Sequence, residues 1–556
     1  MMRKSLVLAA VFVLAVSVAA NAAWLDPELV NQLATADADE KVSIFVTLND
    51  EVDLEAIVKD ANARHLSLEQ RHYNVISALQ EKAAETQEGL INRLEQDRRL
   101  GLVSDYRTFW IQNAVGMTVK SDYITKRLVN DKSIKSIYFD YPIEVIAPTF
   151  EAPADPPSLL ANEGGIDASN APDLWALGFD GTGTLACDQD TGADGTHSAF
   201  ASRWRGLDSG VSAGEAWFDP NGSETFPTDS GTHGTHTLGT IVGSGGIGMA
   251  PGAKWIGAKT IDVPGGNILT DAVAAFQWSA DPDGNPGTFD DVPDVVNNSW
   301  GLPRGFYGSC RADFNSAIDA AEAAGVVVVF AAGNEGSSAE TLRSPGNRIT
   351  SQFNSFAIGA LNQNNTSIAS FSSRGPSDCD GATIKPEISA VGVNVRSAAP
   401  GGGYSTKSGT SMATPHVAGA VLLLRDAFPN ATPEDIKFAL WHTATDLGDT
   451  GEDNTYGNGA MDVYAAYLYL ADGSGDPCAQ IVQDYVDLCG ADYNDTYNTV
   501  CTVNQNPGCL STCIDLYGVC SDIANCYNTS ECDNPPGDDD DDDSGGCGRN
   551  RDSYSN

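Results

Sequence analysis

Hydrolysis of a peptide bond through serine needs four groups: a hydroxyl nucleophile, a base to take its proton, a carboxylate to orient the base, and donors for the oxyanion. The chain carries a candidate for each in glycine-rich turns. Ser411 stands in Gly409-Thr410-Ser411-Met412-Ala413-Thr414-Pro415-His416-Val417-Ala418-Gly419, between a glycine-rich loop and the apolar run Val417 to Leu424. Proline is well placed in the first turn of a helix, where an N–H has no partner anyway. The spacing therefore predicts a helix start that puts Ser411 where free N–H groups favour a developing anion. A serine that merely caps a helix would look the same. Two of the seven histidines, His233 and His236, fall three apart in Ser230-Gly231-Thr232-His233-Gly234-Thr235-His236-Thr237-Leu238-Gly239. Asp188 and Asp190 lie two apart in a strand-like run before Thr191-Gly192, hence on one face. Asn334 follows an apolar run in Phe330-Ala331-Ala332-Gly333-Asn334-Glu335-Gly336. Taken singly, these are a cap, core histidines and turn formers.

Taken together, the strings resemble those of the subtilases, the subtilisin-like serine proteases. Gly409 to Gly419 resembles the family's active-serine signature, and Ser230 to Gly239 its histidine motif. The resemblance implies Ser411 as nucleophile, His233 as general base and His236 as a structural residue. In the family the aspartate directly precedes Thr-Gly, which selects Asp190 over Asp188. Asn334, in Ala-Ala-Gly-Asn, is implied as the side-chain donor of the oxyanion hole, beside the backbone N–H of Ser411. Loss of one such donor costs roughly 2.7–4 kcal/mol of transition-state stabilisation in a subtilisin. Asn297-Asn298-Ser299-Trp300-Gly301 resembles the substrate-binding strand, so Ser299, Trp300 and Gly301 would pair through their backbone with an extended substrate, Trp300 also walling a side-chain pocket. The order Asp190, His233, Asn334, Ser411 matches the subtilisin order.

The resemblance covers roughly residues 165–470 and is nearest the bacillopeptidase F-like branch. Asp188-Gln189 replaces the usual apolar pair before the catalytic aspartate, and Thr232 stands where glycine or serine is commoner. The implied activity is endopeptidic hydrolysis of proteins or peptides through an acyl-enzyme, with no cofactor needed for the chemistry. A structural calcium ion is one option for the acidic stretch Asp281-Pro282-Asp283-Gly284-Asn285 with Asp290-Asp291, a solvated turn the other; no metal ligand is assigned. Two rival readings stay open: a non-catalytic adhesion or scaffold protein on the same fold, and a maturation protease of narrow specificity.

The elements that must hold these residues are strands followed by glycine-rich turns and then helices, repeated over 165–472. That alternation predicts an α/β catalytic domain with a mostly parallel sheet, three-layered as in subtilisin by the resemblance. The β-branched run Val326 to Phe330 suits a strand covered on both faces. Ahead of it, residues 23–150 read as a small α+β unit: strands at Val42 to Leu48, Phe109 to Ile111 and Ser136 to Phe139, and a helix over Leu54 to Leu100. The resemblance makes this unit an inhibitory, folding-assisting prodomain akin to the I9 inhibitors, severed between Tyr141 and about Gly165. The proline-rich stretch Pro142 to Pro157, with the linker at 151–164, reads as exposed.

The full chain has 556 residues and a formal charge of −43, which argues against a binder of nucleic-acid phosphates or anionic membranes. Arg3 and Lys4, the apolar stretch Leu6 to Ala20, and Ala20-Asn21-Ala22 read as a cleaved export signal over 1–22, placing the protein outside the cell. No other segment is long and apolar enough to span a membrane. Residues 473–556 are compositionally separate, with nine of the twelve cysteines. In an oxidising compartment these predict a disulfide-rich module at 473–534, followed by an acidic tail at 535–556 containing Asp538 to Asp543. Cys187 reads as a buried free thiol, and Cys310 and Cys379 as a candidate pair.

Overall fold

The computed structural model describes residues 22–156, 162–220, 222–261, 269–304 and 310–471. Nearly all of the expected export signal, the cysteine-rich module, the acidic tail and the turn at Pro264 to Gly266 lie outside the described residues. The chain divides into a unit ending at Leu468 and a second beginning at Tyr469; the first is described below.

Its N-terminal part is a five-stranded sheet of β1 (Trp24–Leu25), β2 (Lys41–Leu48), β3 (Val103–Phe109), β4 (Ala114–Lys120) and β5 (Ile134–Phe139), in the order β1-β5-β2-β4-β3. The long helix expected over Leu54 to Leu100 is two helices, Leu54–Ala63 and Leu68–Arg99. The break has a local cause. His65 adopts a left-handed backbone (φ 50), and Ser67 starts the second helix with a reciprocal capping box to Gln70.

The α/β part is built on a seven-stranded sheet. Its strands are β8 (Leu185–Asp190), β9 (Trp217–Phe218), β10 (Lys254–Lys259), β11 (Val295–Asn298), β13 (Val327–Ala331), β14 (Phe356–Leu361) and β15 (Ile388–Val391). They run in the order β15-β14-β13-β11-β8-β10-β9, every neighbouring pair parallel. The helices His233–Val242 and Thr410–Ala427 pack together against β8, and helices Leu269–Ala280 and Asn315–Ala323 form a second packed pair. β8, β11, β13, β14 and β15 are buried along their whole length, as strands covered on both faces must be. Parallel sheets of this kind gather their reactive groups at the strands' carboxyl ends. Asp190 is the last residue of β8, and Asn334 follows three residues after β13.

Residues 142–156 are largely exposed, as expected, but they are strand-paired and not a free linker. β6 (Glu144–Val145) pairs antiparallel with β12 (Trp300–Gly301), and β7 (Phe150–Ala154) pairs antiparallel with β17 (Gly403–Ser408), whose other neighbour is β16 (Val395–Ala399). Ile143 and Ile146 are buried. The prolines made this stretch read as loop, yet none prevents the pairing. Pro148 lies between the two strands, and Pro153 lies on an edge strand, where an absent N–H removes no ladder bond on the open side.

The N-terminal sheet docks on the helix Leu269–Ala280 and its neighbours through buried polar contacts. The backbone N–H and hydroxyl of Thr270 donate to Asp140 (3.0 and 2.8 Å), and Ala280 O lies 2.8 Å from His72 Nε2. Burial raises the Asp140 carboxyl to about 6. Burial likewise raises Asp271 to about 6, opposed by nearby Arg107. A carboxyl raised by docking holds its proton more tightly in the docked state. The docked form is therefore favoured most below about pH 4, and the advantage is lost as pH rises from about 4 to about 6. Burial lowers the pKa of His72 and works the other way below its ordinary value of about 6.5, so the carboxyl effect is read in a His72→Gln chain: after backbone cleavage between the two parts, its N-terminal piece is expected to dissociate at least about tenfold more readily at pH 7 than at pH 5. Equal dissociation constants at the two pH values, measured on the nicked complex, would contradict this.

Candidate active site

The carboxyl end of β8 and the start of the helix His233–Val242 bring Asp190 and His233 together. His233 Nδ1 donates to the carboxylate, with both oxygens at 2.9 Å, and Thr191 N–H donates to Asp190 Oδ1 at 2.7 Å. The close approach needs glycine. A Cβ on Gly234 would lie 2.0 Å from the carbonyl oxygen of Gly192. Asp229 ties the turn, accepting from Gly231 N–H and Thr191 Oγ1 on one oxygen and from Thr235 N–H and Oγ1 on the other. His236 faces away, its Nε2 against the carbonyls of Val395 and Ser405 (3.1 and 3.2 Å). Burial holds its pKa well below the ordinary histidine value, so it is a neutral packing residue.

Asp188 is on the same face of β8 but never touches His233. It accepts from Thr237 Oγ1 and Asn297 Nδ2, both at 2.8 Å. Burial, then the charge of Asp190, pushes its carboxyl well above the usual range. Asn297 Nδ2 also reaches Ser299 Oγ (3.2 Å), which donates to the carbonyl of Ser411 (3.2 Å). That carbonyl is free because Pro415, four residues on, has no N–H to give it. Pro415 therefore sits in the second turn of a helix that begins at Thr410, not in the first turn as the sequence suggested.

Ser411 lies in the first turn of the helix Thr410–Ala427 and is fully buried. What covers it is the segment between β6 and β7. Ser411 Oγ donates to the carbonyl of Ile146 (2.7 Å) and lies 3.2 Å from that of Ser299. Ile146 N–H donates to Ser299 O at 3.2 Å, continuing the β6–β12 register of Val145 opposite Trp300 and Glu144 opposite Gly301. Asn334 Oδ1 accepts from the N–H and hydroxyl of Thr410 (2.9 and 3.0 Å), which aims its Nδ2 into the cleft, 2.8 Å from the carbonyl of Ala147. His233 Nε2 is buried without a hydrogen-bond partner. The Asp190–His233 pair is thus formed, while the Ser411 hydroxyl is turned to the covering segment.

A profile of the subtilase family matches residues 181–459, which contain all four groups. Subtilisin E of Bacillus subtilis (strain 168) is 35% identical over 307 residues, 54% of this chain and 70% of that protein. The chain belongs to the subtilase family.

Bacillopeptidase F of the same organism is 32% identical over 478 residues, covering 80% of this chain; the chain spans about a third of that relative's length (32%). Among solved structures, fervidolysin from Fervidobacterium pennivorans, a keratinolytic enzyme related to subtilisin, superposes with a TM-score of 0.55 at 24% identity. It covers 81% of this chain and 63% of its own, and shares the fold.

In this subtilase the strand Ser299-Trp300-Gly301 meets the covering segment through its backbone, but the Trp300 side chain does not wall a pocket. It is 0% exposed, donates Nε1–H to Asn298 Oδ1 (3.0 Å), and packs edge-on to Phe314 and Phe330. Successive side chains of a strand point to opposite faces, and this one takes the core side. Cys310 and Cys379 form a disulfide, and Cys187 is a buried free thiol. Asp281 Oδ1 and Asp291 Oδ1 are buried without hydrogen-bond partners, but among the described residues no three acidic, histidine or cysteine side chains converge as a metal site. Nor is any helix among them long and apolar enough to cross a membrane.

Several residues at the site carried no functional assignment from sequence: Asp229, Thr237, Arg343 and Lys407. Asp229 had a usable signal, an acidic residue four before the histidine. Arg343 and Lys407 lie in strings with no motif.

Proposed function

We propose that the chain is a secreted serine endopeptidase made as a zymogen, and that residues 23–146 are an inhibitory prodomain whose end is held in the active site as an uncut substrate. Ser411 is the nucleophile, His233 the proton carrier, Asp190 its orienting carboxylate, and the Ser411 N–H and Asn334 the oxyanion donors, Asn334 once its Nδ2 moves from the Ala147 carbonyl to the neighbouring one of Ile146. The observation that carries this reading is the Ser411 hydroxyl resting on the Ile146 carbonyl, in a segment strand-paired on both sides of that contact.

Rotation of the Ser411 side chain toward His233 Nε2 would complete the proton path. Oγ then attacks the Ile146 carbonyl carbon, and its proton passes to Nε2. Nδ1 stays bonded to Asp190, and the proton goes next to the leaving nitrogen of Ala147. Water then releases the acyl group along the same path. The Ile146–Ala147 bond has an ordinary secondary-amide nitrogen for a leaving group, whereas the next bond, Ala147–Pro148, is a tertiary amide.

Mass spectrometry of the exported protein tests this. The mature N-terminus is expected at Ala147, and Ser411→Ala should leave that bond intact. Processing at Ala147 in the Ser411→Ala chain, purified free of other proteases, would overturn the reading. It would favour the scaffold alternative.

A further inference from the structure

We infer that this protease selects acidic peptides, reading a glutamate or aspartate on each side of the bond it cuts, through Arg343 before the bond and Lys407 after it. The inference rests on the reading of residues 144–154 as a bound substrate.

Arg343 lies beside β12. A Cβ on Gly301 would fall 3.0 Å from Arg343 Cβ, so the side chain runs directly over the strand that holds the substrate backbone. Its guanidinium is divided between two carboxylates. Nε and Nη2 donate to Glu335 Oε1 (2.8 and 2.5 Å), and Nη1 donates to Glu144 Oε1 (2.5 Å). Glu335 belongs to the enzyme and stays. Glu144 belongs to the segment and is the second residue before Ile146, the residue in contact with Ser411. Burial works against the guanidinium, whose side chain is 13% exposed, but the two glutamates hold its charge firmly. Removal of Glu144 leaves Nη1 without its carboxylate at the edge of the cleft.

Lys407 mirrors this on the other side. It is on β17, opposite Glu151 in the β7–β17 register, and its side chain is 1% exposed. Its ammonium donates to the carbonyl and hydroxyl of Thr232 (2.9 and 2.8 Å) and lies 3.3 Å from Glu151 Oε1, which the Thr232 hydroxyl also approaches (3.4 Å). Glu151 is the fifth residue after Ile146. After the cut, residues 147–154 are the start of the mature chain; once they lift off β17, the ammonium remains beside the leaving-group side of the cleft, bonded to Thr232 and within the field of Asp190 and Asp229 but without a carboxylate of its own. A substrate acid there replaces what was lost, whereas a substrate lysine would meet it head-on.

The protein's charge of −43 makes this selection a contact effect and not a long-range one, because its general field repels acidic chains. Two cations within hydrogen-bond reach of the substrate strand reverse that preference only for side chains at their own positions.

The test uses the processed enzyme and a quenched fluorescent peptide with the sequence of residues 141–154. Replacing Glu144 or Glu151 of the peptide by glutamine is expected to lower kcat/KM about tenfold each. In Arg343→Gln enzyme the Glu/Gln ratio at the first position should fall to about one while that at the second persists. Lys407→Gln should do the reverse. The peptide comparison on wild-type enzyme stands even where a variant does not fold. Equal rates for the glutamate and glutamine peptides overturn the selection while leaving the protease reading intact. A missing effect at Glu151 alone, as when residues 150–154 of the mature chain stay on β17, overturns the half that concerns Lys407. If neither the peptide nor unfolded casein is cut, both this inference and the protease reading fall.

Discussion

Ser411→Ala is expected to lower kcat/KM by about 10⁶-fold and to leave the chain uncut. The substitution isolates the chemistry, because the serine does little for the fold. The N-cap of its helix is Gly409, with no side-chain capping bond, so Ser411 is not the capping serine that its sequence also permitted. Its hydroxyl meets only the carbonyls of Ile146 and Ser299. Alanine fits the first turn, and the loss in stability should be about 1 kcal/mol. Thermal unfolding would therefore be nearly unchanged while hydrolysis of an unfolded protein disappears. Retained hydrolysis by a folded variant sinks the nucleophile assignment; a variant that unfolds would show the hydroxyl to be structural instead.

Asp190→Asn should cost about 10⁴-fold in kcat with the geometry preserved, because an amide facing Nδ1 favours the wrong tautomer of His233. Asp188→Asn is the paired control on the same face of β8. Asp188 is bonded to Thr237 and Asn297, and through Asn297 and Ser299 it supports the Ser411 carbonyl. Its replacement sets an NH₂ against one of two donors, so the first consequence is lower stability, read as a drop in Tm. Comparable losses of kcat from both variants would mean that the pair Asp188/Asp190 acts as one unit.

The contrast shows what could be read from the sequence. The strings around Ser411, His233, Asp190 and Asn334 are local, and each is fixed by a turn the chain makes within a few residues. The close packing of Gly234 on Gly192 explains why glycine had to follow the histidine. The parallel sheet was legible for a similar reason, because runs such as Val326 to Phe330 can only be buried on both faces. What sequence misjudged depends on distant partners. Trp300 looked like a pocket wall until Phe314 and Phe330 were found to enclose it. Pro142 to Pro157 looked like an unpaired linker because the two edges it pairs with, Trp300–Gly301 and Gly403–Ser408, lie more than 150 residues away. The helix break at His65 was within reach, since Ser67 and Gln70 spell a capping box.

On the proposed zymogen reading, the double anchoring of residues 144–154 also bears on the kinetics of activation. Nucleophile and carbonyl are parts of one chain, held at contact distance by strands on either side, so their effective concentration is that of an intramolecular pair and not of two molecules in solution. The first cut is then a first-order event. Its half-time should be the same at nanomolar and micromolar protein, and a lag that shortens with concentration would arise only after released enzyme begins to act on its neighbours.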